Sequence, residues 1–159
     1  MDTIRFSNTA SLQRAAASEQ PLSVRWASVC WPLEQPALEA LQKRLKVPNQ
    51  QADCAQLAAK ILPSLAESIH QSEWLLQALN TCDAWRRPER LERLIPLFTV
   101  VYPDQGQHFK GVFTNALAAA NQVDVKAIIA AGHKGPDIKQ QLSQQRLDLI
   151  EQSITNHGV

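Results

Sequence analysis

The sequence predicts an all-α fold, on three observations. Glycine is scarce: there are five, all from Gly106 onward. Strict apolar–polar alternation, the mark of a strand, is almost absent. Apolar residues recur instead at spacings of three and four, which align on one side of a helix. They make up 45% of the 159 residues, enough for a core shared by one domain or two small subdomains.

Residues 1–18 carry only Ile4, Phe6 and Leu12 as large apolar anchors, which predicts a weak helix leaning on another element. Val24, Ala27, Val29 and Trp31 predict a short buried helix after Pro21. Pro36, Pro88 and Pro136 mark helix starts, where a missing N–H costs nothing. From Pro36, Leu38, Leu41 and Leu45 form one stripe that Pro48 ends. Cys54, Leu57, Ala58, Ile61, Leu65 and Ile69 form the next, with Pro63 expected to kink or split it. Ser72 is the expected N-cap of a helix carrying Leu75, Leu76 and Leu79.

From Pro88 a helix carries Leu91, Leu94, Ile95 and Phe98, with a second kink expected at Pro96. Residues 102–108, with Pro103 and Gly106, read as a polar loop. Phe109, Phe113, Ala116, Leu117 and Ala120 define another amphipathic helix. Asp124 caps a short helix that Gly132 closes, and Pro136 opens the last, with Ile138, Leu142, Leu149 and Ile150 facing inward. The composition shift at 102–108 marks helical regions 1–101 and 102–159, expected to form one continuous unit. The expected architecture is an irregular multi-helix array, not a regular four-helix bundle.

Net charge is +1, so nucleic-acid binding must come from local patches, not bulk charge. Cys30, Cys54 and Cys82 are odd in number, far apart and set among apolar residues, which predicts buried thiols of a reducing compartment. No signal segment or membrane-length apolar run appears, so a soluble cytoplasmic chain with no membrane contact is expected. His70, His108, His133 and His157 are scattered, with no HExxH and no His-Asp doublet, so no metal site is expected. No nucleophile elbow or phosphate-binding loop is present, and no catalytic residue is assigned.

Two segments stand out. Residues 82–93 hold four arginines and Trp85. They read either as a solvated turn laced with pairs such as Glu89–Arg93, or as a corner whose Arg86, Arg87 and Arg90 grip a phosphate backbone. Asp83, Pro88 and Glu89 would then shape the corner. Residues 128–138 form a helix, a turn bracketed by Gly132 and Gly135, and a second helix. The turn is either a plain connector or a phosphate cradle in which Lys134 and Gly135 meet the ligand beside helix N–H groups. Asp137 in the first helical turn would weaken such a site.

At these segments the chain resembles a known family. CDAWRRPERLE at 82–92 resembles the signature of bacterial CCA-adding tRNA nucleotidyltransferases of the multifunctional type, and residues 123–150 resemble that family's tail in register. Weaker likenesses are Pro21 to Trp31, LQKRLKVPNQ at 41–50, and Ile69-His70. The resemblance implies the body and tail of such an enzyme, holding the elbow and upper arm of tRNA. The parent's CCA addition needs magnesium, CTP and ATP in a catalytic head that this sequence lacks, so tRNA and a head domain or subunit are the implied partners. Where the family carries an HD phosphohydrolase doublet, Ser28-Val29-Cys30-Trp31-Pro32-Leu33-Glu34 stands instead, implying a degenerate HD-like body without cofactor. The alternative is a headless interaction or structural module that has lost RNA binding.

Overall fold

A computed structural model of the chain describes residues 9–156. Ile4, Phe6 and His157 lie outside the described residues. Ten α-helices and no strand occur among the described residues, as the 3.6-residue periodicity predicts. They are α1 (Thr9–Ala17), α2 (Leu22–Cys30), α3 (Gln35–Leu45), α4 (Asn49–Ser68), α5 (Ser72–Thr81), α6 (Pro88–Leu94), α7 (Pro96–Val101), α8 (Gly106–Ala120), α9 (Val125–Ala130) and α10 (Pro136–Asn156).

Two helix pairs organise the packing. In one, α2 lies against α4, and in the other α8 lies against α10. The pairs are joined by α5 against α10 and α7 against α8. Buried apolar side chains from Ala15 to Ile150 form one connected core. At its centre the rings of Phe98 and Phe113 are 5.1 Å apart, and Trp74 meets Phe113 edge-on at 5.8 Å. Each fully buried Phe or Leu here contributes roughly 1.5–3 kcal/mol of burial.

The two prolines expected to interrupt helices behave differently. Pro63 neither splits nor ends α4, which runs unbroken for 20 residues. Its ring sits on the exposed face, where water can satisfy the carbonyl it leaves unpaired. Pro96 does divide its stretch, with α6 ending at Leu94 and α7 starting afresh at Pro96.

Several local expectations are corrected. Leu45 does not face inward: it is 53% exposed, because α3 ends there and Lys46 turns left-handed at φ 53°. Ser72 is the first helical residue and Gln71 the cap, with no capping side-chain bond. Ile138, Leu142 and Leu149 are only half-buried, whereas Ile150 is fully enclosed. The segment 102–108 is not all loop, because α8 starts at Gly106. Gly106 allows this: a Cβ there would come 2.4 Å from Thr99 Cα and 2.6 Å from the Phe98 carbonyl carbon. The first turn of α8 thus rests directly on the α7 backbone, which only glycine permits.

Leu12 is half-buried on α1, which packs on α2 and α7 as a leaning helix should. The Arg14 Nε donates to the Val100 carbonyl at 2.6 Å, tying α1 to the end of α7.

Candidate nucleic-acid interface

The arginine corner is built by the way α5 stops. Asp83 takes φ 50°, in the left-handed region that an aspartate tolerates better than most residues. The Ala84 N–H then donates to the Leu79 carbonyl at 3.0 Å, and the Asp83 N–H to that of Asn80 at 3.0 Å. These two bonds make a Schellman ending, which reverses the chain and satisfies the last carbonyls of the helix. The Arg86 and Arg87 N–H groups then donate to the Asp83 carbonyl, at 3.2 and 2.8 Å. Arg87 becomes the N-cap of α6 and Pro88 its first residue.

Asp83 also holds a side chain. Arg86 donates to its carboxylate through Nε at 3.1 Å and Nη2 at 2.8 Å. That bond, more than any other effect, lowers the Asp83 pKa and raises that of Arg86. The Arg86 side chain is nonetheless 82% exposed. Arg87 is exposed too, with a longer 3.4 Å contact to Glu89. Both guanidiniums keep donors facing solvent.

Arg90 points the other way. Its Nε and Nη2 donate to the Asp53 carboxylate of α4 at 2.9 and 2.6 Å, and Nη1 reaches the Cys82 carbonyl at 3.3 Å. The bond to Asp53 is the main reason its pKa rises. Only 16% of the side chain is exposed. Of the three arginines picked out in the sequence, two therefore face solvent, and the third clamps α6 to α4.

Three features have no signature in the sequence. Asp53 sits 37 residues from the arginine it binds. Arg87 and Arg93 line one polar hollow with Asn49, Gln50 and Asp53, at the first turn of α4. Arg146 of α10 lies over the Trp85 ring, 3.9 Å from its centre, while the Trp85 Nε1 donates to Asn80 at 2.7 Å. Burial lowers the Arg146 pKa. No local spacing distinguishes Asp53 or Arg146, so neither could be singled out from the sequence.

The tail turn lies apart. Asp124 caps α9 by accepting from the Ala127 N–H at 3.2 Å. Gly132 closes the segment at φ 95°, as the sequence predicts. Gly135, ahead of Pro136, is left-handed at φ 59°. The turn thus reverses twice on glycine, with open space where either Cβ would point. Lys134 is exposed, and the His133 imidazole pairs with the Asp137 carboxylate. Asp137 is therefore engaged from within the turn.

The cysteines are free and buried, and burial pushes the thiols of Cys30, Cys54 and Cys82 up to about 12. In the 28–34 segment, Ser28 is buried and donates to the Arg25 carbonyl at 2.6 Å. Among the described residues no group of three or more His, Cys, Asp or Glu is placed to hold a metal ion. None of the described helices is long and apolar enough to cross a membrane.

No family model matches the chain, and no solved structure matches it. It is 37% identical over 145 residues to a CCA-adding enzyme of Alteromonas mediterranea, covering 87% of this chain and 36% of that protein. It is 33% identical over 146 residues to a multifunctional CCA protein of Pseudomonas putida, covering 89% and 40%. A CCA-adding enzyme from a second Pseudomonas putida strain is 32% identical over the same shares. The chain is thus homologous to CCA-adding enzymes over most of its length, and spans about two fifths of the length of these curated relatives.

Proposed function

We propose that this chain, a homologue of CCA-adding enzymes, supplies the tRNA-holding body (1–101) and tail (102–159) of such an enzyme. In this reading it recognises the elbow and upper arm of tRNA by shape and phosphate, not by base sequence. CTP, ATP and magnesium chemistry belongs to a head domain or subunit, not to these helices. No catalytic residue is assigned to these helices.

The observation that carries the reading is the pair Arg86 and Arg87. Both are fixed at the backbone by Asp83 and project into solvent, and Arg87 also lines the hollow that it shares with Arg93 and the start of α4. A phosphate entering there would meet two guanidiniums and the unpaired N–H groups of a 20-residue helix. Arg90 contributes by holding the corner in place. Lys134 and Gly135 offer a second phosphate contact at the tail turn.

The test is tRNA affinity across a salt series for the Arg86→Ala, Arg87→Ala double variant. Each phosphate that the variant no longer neutralises should lower the log–log salt slope by about 0.7–0.9. A slope and affinity equal to wild type would exclude the corner from binding.

A second reading, an interaction module without RNA binding, is favoured by one observation. Leu12, Leu22, Trp26, Val29, Leu45 and Val47 line an open apolar groove with Leu22 67% exposed, and its charged lining residues are Arg25 and Lys46. That surface suits a protein segment with apolar side chains flanked by carboxylates. Wild-type protein without measurable tRNA affinity would move the function to this groove.

A further inference from the structure

His70 and His108 are 38 residues apart in sequence, yet their Nε2 atoms are 2.9 Å apart and their ring centres 5.2 Å apart. His70 follows Ile69, the C-cap of α4, and His108 lies in the first turn of α8. Both are at the surface. Each is flanked by a buried neighbour: Ile69 is 1% exposed and Phe109 3%. The backbone on either side of the pair is therefore anchored in the core while the rings face solvent.

From this geometry we propose that His70 and His108 form a two-histidine site for a divalent transition-metal ion of the zinc, nickel or copper class. Imidazole nitrogens suit these ions, whereas magnesium and calcium prefer oxygen. Two Zn–N bonds of about 2.0–2.1 Å at a tetrahedral angle hold their nitrogens about 3.3 Å apart. The observed pair needs to open by only a few tenths of an ångström. Without metal, one ring carries its proton on Nε2 and donates to the lone pair of the other. With metal, both Nε2 lone pairs bind the ion, and the donor ring keeps its proton on Nδ1 instead. Among the described residues no third His, Cys, Asp or Glu completes the set, so water fills the remaining positions. Glu73 and Glu151 share a surface hollow with His70 and add negative potential beside the site. The bound ion cross-links the end of α4 to the start of α8. It therefore strengthens the joint between the two regions of the chain without touching the arginine corner.

The experiment is calorimetric titration of tag-free protein with zinc chloride, with magnesium chloride as control, alongside melting curves. One zinc per chain is expected, with no saturable heat from magnesium. Saturating zinc should raise the melting temperature by a few degrees, since only the folded chain presents both rings. His70→Ala and His108→Ala, both at exposed positions, should each weaken zinc binding at least tenfold and abolish the thermal shift. His133→Ala, the control at the tail turn, should change neither. Zinc binding of unchanged affinity in the double variant, or no stoichiometric binding by wild type, would overturn the proposal.

Discussion

The Arg146 guanidinium stacks over the indole of Trp85, 3.9 Å from the ring centre, and so fastens α10 to the arginine corner. The Arg146 Nε is buried without a hydrogen-bond partner, which leaves the ring face as its main compensation. A cation over tryptophan is worth about 0.5–1 kcal/mol when exposed and about 2 kcal/mol when desolvated. A double-mutant cycle of Arg146→Met with Trp85→Leu, followed by urea unfolding, should show coupling of about 1 kcal/mol. Additive effects would mean that the stacking contributes nothing to stability.

Arg90 and Arg86 lie four residues apart and should respond in opposite ways. Arg90→Ala leaves the Asp53 carboxylate and Cys82 carbonyl without their guanidinium donors, and should cost about 2 kcal/mol. Arg86→Ala removes an exposed pair and should leave the melting temperature unchanged while weakening tRNA binding. Equal stability losses in the two variants would contradict the division between clamp and contact.

Gly106→Ala places a methyl carbon within 2.6 Å of backbone atoms of α7, none of which can rotate away. The start of α8 must move, at a cost of about 1–3 kcal/mol. Gly111→Ala, in the same helix with open space around its Cβ position, should be neutral or stabilising. Chemical unfolding of both variants checks the contrast.

At the tail turn, Gly132→Ala meets no neighbour but forces alanine to φ 95°. A loss of about 1 kcal/mol is expected from conformation alone. Lys134→Glu changes an exposed charge and should leave melting unaltered. If the turn meets phosphate, it lowers tRNA affinity; if the turn is only a connector, affinity is unchanged.

The three thiols ordinarily ionise near 9.0 and are pushed up to about 12 by burial. Between those values the unfolded chain releases protons that the folded chain retains, so stability must fall as pH rises through this window. Below about pH 9 the thiols contribute no such dependence. Native protein should resist a thiol reagent at about pH 8 and react at all three cysteines once unfolded. Rapid labelling of the native chain would show that the thiols become accessible without global unfolding.

Much of the fold is written locally. Apolar spacing predicts the helices, Pro88 and Pro136 open two of them, Asp124 caps α9, and Gly132 closes that segment. These features depend on residues within one or two turns of each other, and sequence spacing encodes such neighbours directly. Leu45 departs from its stripe because periodicity marks a face of a helix without saying whether another element covers its end. The 82–92 segment likewise discloses the family resemblance and marks a charged corner.

Only the tertiary structure decided what the corner's side chains do. Arg90 turns inward because α4 brings Asp53 beside it, and Trp85 is covered because α10 delivers Arg146. Gly106 is required because α8 starts on the α7 backbone, and His70 meets His108 because the end of α4 comes beside the start of α8. A guanidinium or imidazole can serve equally in solvent, in an ion pair or over a ring. The choice depends on partners tens of residues away, which come within reach only when the helices pack into one core.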